Sequence, residues 1–179
     1  MKALLKIVEG VDRLSGAAAW IAAWCVLFAV LVSAGNALVR YGFSVGSNAW
    51  LELQWYLFAV VVLFGASKTL RVNVHVRVDL LYNRLTPRGQ VWLDLVCLAL
   101  FLLPATGMLT VMSWAVFAES WRINEVSSNA GGLLRWPVKL VLPAGFALLT
   151  LQGLAEMARR AVMLAGSIPL STQYERPVQ

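Results

Sequence analysis

L-S-G-A-A-A-W-I-A-A-W-C-V-L-F-A-V-L-V-S-A-G-N-A-L-V, residues 14–39, carries no formal charge along its whole length. A helix needs about 20 apolar residues to cross the hydrocarbon core of a bilayer. This run exceeds that length. Lys2, Lys6 and Arg13 ahead of it resemble the basic segment of a secretory signal. A signal's apolar core is only about 7–15 residues, so the run predicts a span that stays in the mature protein.

Working outward, Leu95 to Ala118 is a second stretch free of charge, and Leu53–Ser67 and Leu140–Ala155 are two shorter ones. Each short stretch reaches a full span if its end charges sit at the interface, Glu52 and Lys68 for one, Lys139 and Glu156 for the other. The spans are predicted near 16–39, 49–70, 91–117 and 138–162. The fold class is therefore an all-α membrane protein with four transmembrane helices in one domain, residues 1–166. A polar tail with Pro169 and Pro177, residues 167–179, is expected to be disordered. The composition agrees: 60% of the 179 residues are hydrophobic and 13% charged, about half the charge of a soluble domain.

Basic residues set the orientation. Lys2, Lys6 and Arg13 precede the first span. Lys68, Arg71, Arg77, Arg84 and Arg88 lie between spans two and three, and Arg159, Arg160 and Arg176 follow span four. These eleven lie on one side, and only Arg40, Arg122, Arg135 and Lys139 lie on the other. The positive-inside rule then places both termini in the cytoplasm. The same distribution argues against nucleic acid as the partner of the +6 charge, because the cations sit in gaps between apolar runs and form no basic face. Tryptophans mark two interfacial belts, Trp20 and Trp92 on one side, Trp50, Trp121 and Trp136 with Tyr41 on the other. Trp24, Trp55 and Trp114 fall deeper and point to protein contact.

The cytoplasmic connection reads V-N-V-H-V-R-V-D from Val72 to Asp79. Its alternation predicts an extended exit from span two, with Asp79 capping a short amphipathic helix over Leu80–Leu85 at the membrane surface. Its basic residues would attract anionic membrane lipid. Thr86-Pro87 offers an N-cap and a first-turn proline for span three, and Trp136-Pro137 does so for span four. Pro104 and Pro143 fall inside spans and predict kinks.

The catalytic inventory is sparse. A single histidine, His75, excludes a haem held by paired histidines within this chain and a histidine-rich zinc site. Cys25 and Cys97 lie in apolar runs and make no disulfide framework. No hydrolase, zincin or phosphate-loop motif occurs, so no catalytic residue, metal or cofactor is expected. Glu52 is predicted to pair with Arg40 across the short external turn, and Asp94 and Glu119 to bracket span three at opposite interfaces. Ala29, Ser33 and Ala37 on span one and Gly65-Ala66-Ser67 on span two form small-residue faces that permit close helix contact.

Read in order, these pieces resemble one family. They are N-x-x-x-R-Y (Asn36, Arg40, Tyr41), Trp50, Glu52, Gly65-Ala66 and H-V-R-V-D-L-L-Y from His75 to Tyr82. E-V-S (Glu125–Ser127), R-W-P (Arg135–Pro137), P-A-G (Pro143–Gly145) and L-Q-G (Leu151–Gly153) complete the series. The pattern is similar to the small membrane subunit of tripartite ATP-independent periplasmic (TRAP) transporters, the DctQ-like proteins. S-W-R-I-N-E and G-G-L-L-R-W-P-V-K resemble the subgroup labelled for mannitol or chloroaromatic compounds. Many members carry two adjacent acids where this chain has Glu52 followed by Leu53.

The resemblance implies a three-part importer of the inner membrane. A periplasmic solute-binding protein captures a small organic acid, and a large DctM-like permease subunit moves it by a sodium-coupled elevator motion. The small subunit packs on the permease's static scaffold and holds no substrate, cofactor or metal. Arg40, Glu52, Gly65, His75, Arg77, Asp79, Trp136 and Pro137 are then candidates for structure or subunit contact. The alternatives are the small subunit of a tripartite tricarboxylate transporter, against which the H-V-R-V-D loop speaks, and a membrane scaffold or oxidoreductase anchor, against which the lone histidine speaks.

Overall fold

The computed structural model describes residues 2–72, 82 and 84–166. Four helices fill nearly all of this. They are α1 (Lys2–Phe43), α2 (Asn48–Arg71), α3 (Pro87–Arg122) and α4 (Trp136–Leu164). Each is long and apolar enough to cross a membrane. At 1.5 Å per residue the 42 residues of α1 extend roughly 63 Å, about twice the hydrocarbon thickness. The helix therefore continues well past the uncharged run at its N-terminal end, through Val8 and Asp12.

The turns follow local chemistry. α1 ends after Gly42-Phe43 with Ser44 in the left-handed region, φ 55°. Thr86 caps α3, its Oγ1 accepting the Gly89 N–H at 3.3 Å, with Pro87 in the first turn. Pro137 likewise opens α4. The expected surface helix over Leu80–Leu85 falls largely outside the described residues. Of its last members, Arg84 stands in a turn and Leu85 in a bend. The extended reading of 73–79 and the tail 167–179 lie outside the described residues as well.

Pro104 disturbs α3 as its lack of an N–H requires. The turn just before it, Leu98–Leu102, is π-helical, and the Leu103 N–H reaches back five residues to the Leu98 carbonyl. A proline in the middle of a helix leaves an unmatched carbonyl one turn back, and a π turn is one way to absorb the mismatch.

α4 is the hub. It packs against α1, α2 and α3, and among the four helices the greatest share of its apolar stretch is enclosed. Its small residues allow this. A Cβ on Gly145 would stand 2.6 Å from Leu63 Cβ of α2, and one on Gly153 would stand 2.6 Å from Leu102 Cδ2 of α3. At mid-helix Thr150 Oγ1 donates to Thr106 Oγ1 at 2.9 Å, a polar contact joining α4 to α3 where hydrocarbon offers no alternative partner. The outer faces of α1, α2 and α3 stay bare, with Leu38, Trp55 and Val111 each at least 70% exposed.

Candidate functional site

The polar side chains of the bundle gather at its two ends. At the end away from the termini, the α3–α4 connection folds back on itself. Val126 and Leu134 form an antiparallel bridge. Ser127 N–H donates to the Leu133 carbonyl at 2.9 Å, and Arg135 N–H to the Glu125 carbonyl at 2.8 Å. Gly131 takes φ 70° at the tip, and Gly132 lies so close to Ser127 that a Cβ there would be 2.4 Å from Ser127 Cβ. Only glycine fits that approach.

Glu52, in the first turns of α2, holds this loop. Its carboxylate accepts the Leu133 N–H at 2.8 Å and Asn129 Nδ2 at 2.8 Å, and it also accepts the Ser127 hydroxyl. Asn48 Nδ2 adds a bond to the Ala130 carbonyl at 3.3 Å. Next to it Glu125 pairs with Lys139 and with Arg135, the latter at 3.5 Å. The Lys139 ammonium, aided by Arg135, holds the Glu125 carboxyl below its ordinary value of 4.5. Trp121 and Trp136 meet edge to face at 4.4 Å and join the ends of α3 and α4 beneath the loop.

The second cluster lies at the end that carries the termini, and it touches all four helices. Asp12 of α1 receives Arg159 Nη2 at 2.7 Å, Arg71 Nε at 3.3 Å and Gln152 Nε2 at 3.0 Å. Ser15 Oγ donates to Gln152 Oε1 at 2.7 Å. Arg160 bridges Glu156 at 3.0 Å and Asp94 of α3 at 3.2 Å, and Arg159 also lies 3.3 Å from Glu156. Tyr82 OH donates to Asp94 at 3.2 Å. Asp12, Gln152, Glu156 and Arg160 are all buried. Among the described residues three guanidinium groups face three carboxylates, and each carboxylate is occupied.

Two sequence expectations need correction. Glu52 does not pair with Arg40. Its acceptor positions are filled by the α3–α4 loop, and Arg40 lies over its neighbour Tyr41, 5.3 Å from the ring centroid. A multi-donor pocket with backbone and side-chain N–H groups outcompetes a single exposed guanidinium across the turn. Glu156, at the termini end of α4, is not turned to solvent either, being 2% exposed and gripped by two arginines.

The other predicted residues are dispersed. Gly65 has no neighbour within 4 Å of where a Cβ would stand, so its face is open within this chain. Trp136 and Pro137 open α4 under the loop, as described above. His75, Arg77 and Asp79 lie outside the described residues. The deeper tryptophans find little protein cover: Trp24 stacks on Trp20 at 5.9 Å, and Trp55 and Trp114 remain exposed at 70% and 58%. The termini-end cluster was missed. Its signal was present in E-M-A-R-R, Glu156 to Arg160, whose i, i+3 and i+4 spacing places acid and bases on one face, with Gln152 one turn earlier in an otherwise apolar stretch.

Four apolar helices, tied at one end by a latched loop and at the other by a buried cluster of paired charges, define a multi-pass helical membrane protein. The family model described as "Tripartite ATP-independent periplasmic transporters, DctQ component" matches residues 27–163, and the chain belongs to that family, the small permeases of TRAP transporters. A protein of Haemophilus influenzae, provisionally named a TRAP transporter small permease protein, is 35% identical over 94 residues, 52% of this chain and 53% of that one. The chain thus spans about half the length of the curated relative it matches. No solved structure matches it.

Proposed function

We propose that the chain is the static small subunit of a three-component importer in the bacterial inner membrane, with both termini in the cytoplasm. It packs against the scaffold of a large DctM-like permease and supports sodium-coupled uptake of a small organic acid delivered by a periplasmic solute-binding protein. The observation that carries this reading is the inverted use of side chains. Polar groups pair with one another at the two ends, while apolar surface on α1, α2 and α3 is left outward. Moving a polar solute needs polar groups lining a cavity near the midplane, commonly with broken helices and paired repeats. Here the mid-helix polar contact, Thr106 with Thr150, is closed on itself.

The test is solute accumulation in proteoliposomes under a sodium gradient, with each combination of the three components. The expected result is uptake with all three and none with this chain alone. Uptake by this chain alone, or full activity of the other two without it, overturns the assignment.

A further inference from the structure

A groove of about 520 Å³ lies between α1 and α2 on the outer surface of the bundle. Val26, Val30, Trp55 and Phe58 give it apolar walls, and Ser33 and Gln54 lie toward its upper end. On α1 the lining residues 26, 30 and 33 belong to one stripe, which continues through Ala37 to Arg40 with Asn36 along its edge. Side chains along it change from valine to hydroxyl, to amide, to guanidinium. That is the order of chemistry met in passing from an acyl tail through ester groups to a phosphate.

The depth also fits. Arg40 stands roughly 20 Å along the axis from the midpoint of the uncharged run 14–39, at 1.5 Å per residue. Half a hydrocarbon core is about 15 Å, and the headgroup region ends at about 20–22 Å. Arg40 therefore emerges at phosphate level. It is exposed, its neighbour is the Tyr41 ring, and no carboxylate among the described residues pairs with it. A guanidinium fork matches phosphate oxygens, and a cation at that height above an apolar groove is complementary to a negatively charged lipid head on a hydrocarbon tail.

We propose that this groove is a phospholipid site in the leaflet at the end away from the termini, with an acyl tail between α1 and α2 and an anionic headgroup on Arg40. A phosphate at that depth supplies the counter-charge that Arg40 lacks among the described residues, which is why a lipid is favoured over a purely apolar occupant.

The test uses the full-length purified chain, washed free of lipid in detergent. It is titrated separately with dioleoylphosphatidylglycerol and dioleoylphosphatidylcholine, and bound lipid is counted by native mass spectrometry. One saturable phosphatidylglycerol per chain is expected, with phosphatidylcholine bound more weakly. Arg40→Gln should weaken phosphatidylglycerol by about five-fold and erase the preference, the scale set by one basic group at a membrane surface, while Arg40→Lys keeps it. Ala29→Phe, which plugs the groove, should weaken both lipids. Arg40 is exposed, so its replacement leaves folding intact, which far-ultraviolet circular dichroism checks. Equal binding of both lipids, or an unchanged Arg40→Gln variant, overturns the proposal. A photo-crosslinker at Trp55 in native membranes should yield a lipid adduct, and an adduct to a protein instead overturns it as well.

Discussion

Glu52 does with one carboxylate what a longer loop would need several backbone bonds to do. It accepts from Leu133 N, from Asn129 and from Ser127, three points spread over the α3–α4 connection, and so ties that connection to α2. Removing the carboxylate leaves those donors without their partner. Glu52→Ala should therefore lower the thermal midpoint in detergent, followed by tryptophan fluorescence, and Glu52→Gln should lower it less because one acceptor oxygen survives. An Ala variant as stable as the parent would sink the latch. In the three-component importer proposed above, with uptake driven by sodium as proposed, neither substitution should change the sodium dependence. The neighbouring Glu125 gives a pH signature. Its folded-state value is depressed below the ordinary 4.5, chiefly by Lys139. The stability it adds is thus present above pH 4.5 and is lost as pH falls through the lower folded value. The midpoint of the parent should drop on acidification in that window. Glu125→Gln should flatten the drop, and an equal drop in the variant would argue for other carboxylates.

At the scale of helices, α4 is held by glycines whose surroundings differ, which makes them an internal comparison. Gly145→Ala would drive a Cβ to 2.6 Å from Leu63 Cβ, 3.4 Å from its backbone, so α2 and α4 must move apart. Gly153→Ala meets the ends of the flexible Leu102 and Leu103 side chains, which can turn away. Gly65→Ala meets nothing. Overpacking costs typically about 1–3 kcal/mol, so the thermal midpoints should fall in the order Gly145, then Gly153, with Gly65→Ala close to the parent. A large loss at Gly65 in the isolated chain would contradict the open face. These helices show what a sequence can and cannot convey. The uncharged runs marked all four spans because bilayer thickness sets a minimum length, and the prolines at 87 and 137 marked helix starts because they lack only an N–H that a first turn leaves free anyway. The π turn before Pro104 was legible as a disturbance but not in form. The partner of Glu52 was not legible: it lies 75 to 81 residues away, and only the packing of α4 between α2 and α3 brings the loop to it. The surroundings of Glu156 were obscured for the same reason, since the sequence does not show that the charges on the other helices gather around it.

Taken as one body, the molecule depends on the termini-end cluster to fasten α1, α2 and α3 to α4. Arg160 serves two carboxylates on two helices, so Arg160→Gln takes a cation from both at once. Losing one partner of a buried ion pair costs about 3–5 kcal/mol, and the variant should lose that order of stability, read as a fall in thermal midpoint and in monodisperse yield. Near-parental stability would mean that Asp94 and Glu156 find other partners. The cluster also bears on which way the chain faces the membrane. It gathers Arg71, Arg159 and Arg160 at one end, together with the start of α1, while Arg84 stands in the turn before α3 and Arg88 in its first turn. The opposite end holds Arg40, Arg122, Arg135 and Lys139, and there Glu125 pairs with Arg135 and Lys139, while Glu119 pairs with Arg122 at 2.8 Å. Eleven basic residues against four are what support the proposed orientation, with the termini end cytoplasmic, because the positive-inside rule counts Lys and Arg near span ends. In that proposed orientation four helices that alternate in direction place Asn129, on the Glu52 latch, in the periplasm. Reporter fusions check this directly. Green fluorescent protein should fluoresce at both termini and at Arg84, and alkaline phosphatase should be active at Asn129 alone. Phosphatase activity at Arg84 would break the four-span topology at its centre, because the connection between α2 and α3 cannot be periplasmic while both ends of the chain are cytoplasmic and all four helices cross.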